Sequence, residues 1–401
     1  MKSVLVLNEN GYFQDSRVKR ECQALLRAGW KVEVITIPEE KSPLGGKEEN
    51  IRLHFIRLPS GAGTRGFLPK LLRFRGANQE YLRIAGFLSF DFIHANDLDS
   101  LPAAVKLKRR AGAKLVYDSH ELFPEQFPRT NSLKGKLFRF LFRTCFTFLE
   151  KRLIKHADAV ITVNESIASE LARRYRIPKP LTVMNCPSLQ ERPSEYRKGE
   201  NPFLRTFPQI EGRRIILYNG GITEGRGLEN LVEAMSSIEE AALIFMGKGP
   251  LENSLKKRVE DLGMKERVFF HPPVPPQDVV AFSQWADIGV LPYPDNCLNN
   301  HFSLPNKIFE YLLAGLPVAS SDLPELRKVV KGNGFGILFN PEKPGDIARA
   351  IREILEPKNL EEAKKRVLEN APLLYNWEKE EEKLLRVYQG LLRNEDCFNL
   401  G

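Results

Sequence analysis

The sequence predicts an α/β protein made of two domains, each with a parallel β-sheet covered by helices. A length of 401 residues suits two domains, since a domain holds roughly 150 residues. Short runs rich in Val, Ile and Leu alternate with longer helical patterns along the whole chain, and this is the βαβ order of parallel sheets. A proline-rich segment near the middle separates two such series.

The first series contains one clear helix and five predicted strands. The helix lies between the first two strands, because Val18, Cys22 and Leu25 share one helical face and Gly29 is a stop signal. The predicted strands are residues 3–8, 31–37, 91–96, 114–119 and 159–164.

The second series follows a linker. Prolines are frequent from 178 to 213, which predicts a linker with room for one short strand. The pattern at 376–394 predicts an isolated amphipathic helix. The predicted strands of this series are residues 214–221, 242–247, 267–274, 287–293 and 316–322.

These patterns divide the chain into four parts. We assign residues 1–185 to the first domain, 186–213 to the linker, 214–374 to the second domain, and 375–401 to a C-terminal helix that packs back on the first domain. Sheets of this kind bind ligands at the carboxyl ends of their strands. A cleft between the two domains is therefore the expected site.

Composition excludes several classes of protein. A content of 42% hydrophobic and 28% charged residues is typical of soluble globular domains. The most apolar stretch, 137–154, is interrupted by charged residues, so no membrane span is predicted. The N-terminus lacks the long apolar region of a signal peptide, and we expect a mature cytosolic protein. The five cysteines stand singly, so we expect reduced thiols and no structural metal.

Charge is unevenly distributed, with 35 Lys and Arg against 22 Asp and Glu in residues 1–200 and 25 against 29 in the remainder. The basic half suits an anionic membrane, a nucleic acid or an acidic small molecule, or it is simply a solvated surface. The segment 134–156 aligns basic residues beside Phe138, Phe142 and Phe146. This helix either lies on anionic lipid or buries its aromatic side in the core. Nucleic acid is the less favoured partner for this charge, because the basic segments contain no recognisable nucleic-acid-binding motif.

The segment 299–325 is the richest candidate for chemistry. Pro305 suits the first turn of a helix, so the loop from Ser303 through Leu304 directs backbone amides outward at a helix N-terminus. Such a terminus binds phosphate. Lys307 adds a positive charge, and Glu310 lies within reach of a ribose. An ordinary loop, helix and strand would look the same.

Polar residues follow three predicted strands of the first domain. His120 comes just after a buried strand and can bond a sugar hydroxyl, while His94 and Asp97 end the preceding strand or cap the next helix. After the first strand, Gly11 would let the backbone approach a ligand. Asp15 and Arg17 follow, with an N-cap and a helix start as the alternative.

Several motifs together resemble the GT-B glycosyltransferases, in particular family 4. They span nearly the whole chain and occur in the family's order. They are VYDSHE at 116–121, YNGGITEGRGLENLVEA at 218–234, FMGKGPLENSLKK at 245–257, VPPQDVVAFSQWADIGVLPY at 274–293, the run from Ser303 to Asp322, and YNWEKEEEKLLRVY at 375–388.

This resemblance implies retaining transfer of a sugar from a nucleotide diphosphate, without a metal or another cofactor. Arg226 takes the place of a phosphate-binding cation, with Gly220 in the same turn. His120 serves the reacting sugar and Glu310 the ribose. Lys248 and Lys307 supply further charge, and residues near Val274 hold the base. Asp15, Arg17, His94 and Asp97 are candidates for the acceptor.

Two positions depart from the family's pattern. Gly221 stands where the family usually carries an Arg, and Phe302 stands where a Glu touches the donor sugar. Asp295 and Asn300 are near enough in sequence to lend a hydrogen bond instead.

We therefore expect a cytoplasmic or inner-membrane-peripheral glycosyltransferase that uses a UDP-sugar in preference to a GDP-sugar. Its acceptor would be a glycan or lipid-linked glycan of cell-surface polysaccharide synthesis. A nucleotide-sugar epimerase of the same fold and a non-catalytic membrane-surface protein are the alternatives.

Overall fold

The computed structural model describes residues 2–39, 47–48, 50–58, 67–193 and 196–393. The chain divides into two compact units, residues 1–185 with 380–401 and residues 186–379. Each unit contains its own largely parallel sheet, so the predicted fold class is confirmed.

The first unit is built on eight strands. Their bounds are β1 (Ser3–Gly11), β2 (Lys31–Ile37), β3 (Lys47–Glu48), β4 (Ile51–Phe55), β5 (Phe92–Asn96), β6 (Lys114–Ser119), β7 (Ala159–Thr162) and β8 (Leu181–Thr182). They lie in the order β3-β4-β2-β1-β5-β6-β7-β8, and only β3 and β4 pair antiparallel. The three strands that lie between β1 and β5 in sequence, β2, β3 and β4, are all on one side of β1 in the sheet. The gap between β1 and β5 is therefore the switch point of this sheet.

Five helices cover this sheet, namely α1 (Ser16–Arg27), α2 (Phe67–Ala85), α3 (Asp97–Ala111), α4 (Leu133–Leu153) and α5 (Glu165–Tyr175). Helix α1 begins where predicted, because the Asp15 side chain accepts a hydrogen bond from the backbone N–H of Val18. Its apolar face is buried.

The second unit is built on six strands. Their bounds are β9 (Arg214–Asn219), β10 (Ala241–Met246), β11 (Val268–His271), β12 (Ile288–Leu291), β13 (Val318–Ser321) and β14 (Gly336–Phe339). All neighbouring pairs are parallel, in the order β11-β10-β9-β12-β13-β14. The direction of winding reverses between β9 and β12, which makes their carboxyl ends the expected ligand site.

Within the described residues of this unit lie the helices α6 (Pro202–Thr206), α7 (Leu228–Ala234), α8 (Glu252–Asp261), α9 (Val279–Ser283), α10 (Leu298–His301), α11 (Lys307–Leu313), α12 (Pro324–Asn333), α13 (Pro344–Leu355) and α14 (Pro357–Leu374). A core of buried side chains from β9, β10, α7 and α13 holds the sheet to its helices.

The last helix, α15 (Trp377–Arg393), matches the predicted range closely. Its residues from Glu380 onward group with the first unit, where Leu384, Val387 and Tyr388 are buried. Among the described residues, no helix combines the length and the apolar character that crossing a bilayer requires.

Three predictions of the sequence analysis differ from the structure. Strands β3, β4 and β14 were not predicted, because each is short and lies at or near a sheet edge. The strand predicted at 159–164 ends at Thr162, since Asn164 caps α5. The strand predicted at 214–221 ends at Asn219, since Gly220 adopts a φ of 109°, outside the β region.

Candidate functional site

The carboxyl ends of β9 and β12 form the switch point of the second unit. Two tight turns meet there. Gly227 has a φ of 71°, and a Cβ at this position would lie 1.9 Å from the carbonyl oxygen of Pro292. Only glycine fits such an approach. The turn after β9 is thereby held against the end of β12.

Two cations lie over the aromatic rings at this point. The Lys307 Nζ is 4.3 Å from the ring centre of Tyr218 and 3.2 Å from its hydroxyl oxygen. The Arg226 guanidinium lies 4.9 Å from the ring centre of Tyr293. Lys307 also lies 5.5 Å from the Tyr293 ring. The two charges therefore share one aromatic neighbour.

The electrostatics of these tyrosines follow from the cations. Burial favours the neutral phenol of Tyr293, but the charges of Lys307 and Arg226 outweigh it and lower the pKa of Tyr293. Burial disfavours the Lys307 ammonium, and the two tyrosine oxygens reverse this, so that the pKa of Lys307 is raised. Lys307 is thus a fixed cation at neutral pH, suited to an anionic ligand.

Glu310 is held by a side chain from β9. The Asn219 Nδ2 donates a hydrogen bond to Glu310 Oε2 at 2.6 Å, and the Asn219 backbone N–H donates to the Tyr311 hydroxyl at 2.9 Å. The Asn219 Oδ1 and the Ser303 Oγ are buried and lack a hydrogen-bond partner within the described structure. Buried polar atoms of this kind are normally satisfied, so they are candidates for ligand contact.

The helix after the 303–306 loop begins later than predicted. Helix α11 starts at Lys307, and Asn306 is its N-cap residue, so Pro305 precedes the helix rather than forming its first turn. Ile308, Tyr311 and Leu312 form the buried apolar face of this helix. Leu304 lies in the same loop and is half-buried.

The remaining donor candidates are more peripheral. A Cβ on Gly221 would meet only the Thr223 side chain, at 3.6 Å, so a side chain fits there. Lys248 is exposed and Val274 is half-buried, in the loops after β10 and β11. Gly220 also faces Lys307, since a Cβ would lie 3.0 Å from its Nζ.

Phe302, which stands where the family carries a Glu, packs against a neighbouring ring. Its ring lies 5.0 Å from the His301 ring. Asp295 accepts a hydrogen bond from His301 at 2.9 Å, and the Asn300 amide donates to Asn296 at 2.9 Å. Both proposed substitutes are therefore engaged with neighbouring side chains.

In the first unit, His120 lies between two carboxylates. Its Nε2 is 3.0 Å from Asp118 Oδ2, and its Nδ1 is 3.3 Å from Asp97 Oδ2. Asp97 also accepts a bond from the His120 backbone N–H at 2.9 Å. Burial lowers the pKa of His120, but the two carboxylates raise it more, to about 10. The imidazole is therefore protonated at neutral pH.

Asp118, which contacts His120, belongs to a buried cluster of charged side chains. Arg17 binds Asp118 through two nitrogens, at 2.8 and 3.0 Å, and its Nε lies 3.0 Å from Glu21. His94 Nε2 lies 3.3 Å from Glu21 and 3.7 Å from Asp118. Burial lowers the pKa of His94, and these carboxylates raise it to about 9.

This cluster changes the interpretation of two predicted acceptor residues. Arg17 and His94 are buried, so neither side chain reaches a ligand in this structure. Glu21, His94 and Asp118 lie close enough together to coordinate a metal ion. The guanidinium of Arg17 and the imidazolium of His94, whose pKa is raised to about 9, together balance the two carboxylates, so the donor set fits an ion-pair network better than a cation site.

Two other predicted site residues, Asp15 and Gly11, have structural roles near the turn after β1. Asp15 caps α1, as the alternative interpretation stated. A Cβ on Gly11 would lie 2.1 Å from the carboxyl carbon of Glu39, whose oxygens accept bonds from the backbone of Phe13 and Gln14. The space beside Gly11, where we predicted that a ligand would approach, is therefore occupied by the Glu39 side chain.

Sequence reasoning missed a cavity of about 300 Å³ beside the end of β1. Its charged groups are Glu9, Lys70, Arg73 and Asp99, and Arg73 Nε donates to Glu9 at 2.7 Å. Burial raises the pKa of Asp99 well above its ordinary value. The aromatic lining is Phe74, Phe123, Phe142 and Phe146. Glu9 and Asn10 are polar residues at the carboxyl end of the first strand, and they were the feature of the sequence that could have indicated this cavity.

Comparisons with known proteins match both units. Residues 15–187 match the family model described as Glycosyltransferase Family 4, and residues 201–373 match Glycosyl transferases group 1. An alpha-D-kanosaminyltransferase from Streptomyces kanamyceticus is 23% identical over 274 residues, which is 66% of each chain and so just under two thirds of that relative's length.

Solved structures share the fold. Sucrose-phosphate synthase from Thermosynechococcus elongatus superposes with a TM-score of 0.79 at 20% identity, covering 98% of this chain and 100% of that one. HepE from Anabaena in complex with UDP-glucose superposes with a TM-score of 0.72 at 14% identity, covering 97% and 100%.

Proposed function

Because this chain is a GT-B glycosyltransferase of family 4, we propose that it transfers a sugar from a nucleotide diphosphate to a glycan or lipid-linked glycan, with retention at the anomeric carbon and without a metal. The donor is a UDP-sugar in preference to a GDP-sugar. The reaction takes place in the cytoplasm or at the inner face of the membrane.

One observation carries the proposal: Lys307 and Arg226 lie over the rings of Tyr218 and Tyr293 at the switch point. Departure of the sugar leaves negative charge on the diphosphate, and cations fixed in advance stabilise it without reorganisation. Arg226 can bind two phosphate oxygens at once, and half-buried Lys307 supplies the second charge. These two residues take the role that a metal ion has in other transferases.

The nucleoside end of the donor lies beside Glu310. Its Oε2 is oriented by Asn219, which leaves a carboxylate suited to bonding ribose hydroxyls. The unpartnered Asn219 Oδ1 and Ser303 Oγ supply further polar contacts to the donor, and residues near Val274 hold the base. The structural neighbour bound to UDP-glucose supports UDP as the carrier.

His120 acts on the transferred sugar. Its two ring N–H groups already face Asp97 and Asp118, so it acts through its positive charge rather than by donating a hydrogen bond to a sugar hydroxyl. A protonated imidazole with a pKa of about 10 is not a general base at neutral pH. We therefore assign His120 an electrostatic and orienting role.

The cavity beside β1 is the proposed acceptor site. It combines phenylalanine rings with the carboxylates of Glu9 and Asp99. Sugar rings stack on aromatic faces through their C–H groups, and carboxylates accept their hydroxyls. We therefore assign the acceptor to this cavity instead of to the buried Arg17 and His94. Asp97 is close in sequence to Asp99, which lines the cavity.

Thermal unfolding in the presence of nucleotides tests the donor site. UDP, GDP and ADP and their sugars are each added with and without EDTA, to the wild type, Glu310→Ala and the exposed control Glu361→Ala. Ligand at about 100 times its Kd stabilises the folded chain by about 2.7 kcal/mol.

We expect a shift with one nucleotide that EDTA leaves unchanged, that Glu310→Ala loses and that Glu361→Ala keeps. A shift abolished by EDTA would contradict metal independence. No shift with any nucleotide would refute the donor site and favour a non-catalytic protein.

A further inference from the structure

Helix α4 carries two apolar faces, and one of them is exposed. Five large side chains form a line at spacings of three, four or seven residues, which is a single helical stripe. We call Leu133, Leu137, Phe140, Leu141 and Phe148 the α4 stripe; their exposed fractions are 83%, 59%, 65%, 41% and 60%.

The core does not need this stripe. On the opposite face Phe142 and Phe146 are buried, with ring centres 4.4 Å apart. Glu150 follows on that face and accepts hydrogen bonds from the hydroxyls of Tyr117 and Tyr175, each at 2.7 Å. The core interpretation of the 134–156 segment therefore applies to Phe142 and Phe146, and α4 exposes a different apolar face.

Basic residues border the α4 stripe on both sides. At 100° per residue, Lys134 and Arg152 fall on one border and Lys136 and Arg143 on the other. Arg152 lies 5.4 Å from the ring centre of Phe148, and Arg143 pairs with Glu125. The only acidic residue within the helix is the buried Glu150.

The neighbouring helix α2 also exposes large apolar side chains. Helix α2 contacts α4 through Phe74 and Phe146, whose ring centres are 5.2 Å apart. It exposes Leu68 and Leu72, by 62% and 55%. A line of large exposed apolar side chains such as the α4 stripe marks an interaction site.

We infer that the α4 stripe docks on an anionic lipid bilayer. A helix of 21 residues, about 30 Å long, with Leu and Phe on one face and Lys and Arg along its borders matches an interfacial helix. The basic side chains reach the headgroups while the stripe enters the acyl boundary. A second copy fits less well, because two such helices face to face would bring like charges together.

This surface explains how a lipid-linked acceptor would reach the enzyme, and in that respect it rests on the proposed function. Phe142 and Phe146 of α4 line the cavity beside β1. The same helix therefore separates the proposed acceptor site from the proposed membrane surface.

Flotation of the full chain with lipid vesicles tests this inference, without donor or acceptor. Vesicles are phosphatidylcholine alone, or phosphatidylcholine mixed with phosphatidylglycerol. The apolar variant is Leu137→Ser with Phe140→Ser, and its control is Phe87→Ser, which changes a side chain that is 85% exposed outside α4. The charge variant is Lys134→Gln with Lys136→Gln, and its control is Lys358→Gln with Lys365→Gln.

We expect the wild type to bind only the anionic vesicles. The charge variant should bind about thirtyfold more weakly and the apolar variant at least about tenfold more weakly, with both controls unchanged. Absence of binding to anionic vesicles, or equal loss in the controls, would overturn the inference. So would self-association in sedimentation that the apolar variant abolishes, because that would identify a second copy as the occupant.

Nucleotide stabilisation of each variant is measured in parallel and shows that the chain is folded. A chain that binds vesicles but no nucleotide would refute the donor site and leave the α4 surface in place. A chain that binds nucleotide but no vesicle would refute the α4 surface alone.

Discussion

Replacement of His120 by Gln tests whether the imidazole is charged in the folded protein. Its pKa is raised from 6.5 to about 10, because Asp97 and Asp118 outweigh the opposing effect of burial. A difference of about 3.5 pH units, at about 1.4 kcal/mol per unit, corresponds to about 5 kcal/mol in favour of the imidazolium at neutral pH. Gln keeps a hydrogen-bonding group of similar size but has no charge.

The sign of the pH dependence follows from the direction of the shift. A pKa raised in the folded chain contributes stability that is complete below pH 6.5 and is lost as the pH rises through about 10. The wild type should therefore lose about 5 kcal/mol of stability relative to His120→Gln across this range. His94, with a pKa of about 9, titrates in both proteins, so the difference between them is the measured quantity.

Urea unfolding of both proteins at several pH values between about 6.5 and 10.5 measures this difference. His156→Gln is the control. Burial and the charges of Arg109 and Lys108 lower the pKa of His156, so its contribution changes only below the ordinary histidine pKa. A constant difference between the wild type and His120→Gln over the whole range would show that His120 is neutral and would refute its assigned electrostatic role.

Three further substitutions test the packing and charge of both units. Gly227→Ala should lower the free energy of unfolding, measured in urea, by about 3 kcal/mol or more, because its Cβ would lie 1.9 Å from the Pro292 carbonyl oxygen. The control Gly212→Ala, at a position with a φ of 75° and open space, should lower it by about 1–2 kcal/mol. Equal losses in the two variants would contradict the close approach at Gly227. Gly221→Arg should tighten UDP binding about tenfold in calorimetry by adding a charged hydrogen bond; equal affinity in Gly221→Gln would show that this position does not face the diphosphate. Burial raises the pKa of Glu150 from 4.5 to about 6. The wild type should therefore lose about 2 kcal/mol of stability as the pH rises across that interval. If a Glu150→Gln variant loses as much stability, another group titrates there.

Local patterns in the sequence determined most of the elements. The apolar face of α11 could be predicted because Ile308, Tyr311 and Leu312 recur at helical spacing, and each is buried. Asp15 could be predicted as a possible cap because its side chain bonds a backbone N–H three residues later. Edge strands such as β14, with four residues, carry too little pattern to distinguish them from loops.

The chemical state of the candidate sites could not be predicted in the same way. Asp118 lies two residues from His120, but Asp97 is 23 residues away and Arg17 is 101 residues from Asp118. Only the order of strands β1, β5 and β6 in the sheet brings these groups together. Sequence reasoning therefore assigned Arg17 and His94 to a ligand, whereas the structure buries both in an ion-pair network.

The sequence by itself determined the two parallel-sheet units and the family, because periodicity, turn residues and motif order are local properties of the chain. Tertiary structure alone decided that Lys307 and Arg226 share the ring of Tyr293, that His120 lies between Asp97 and Asp118, and that α4 exposes a second apolar face. Charge and exposure depend on distances between groups far apart in the sequence, and folding sets those distances.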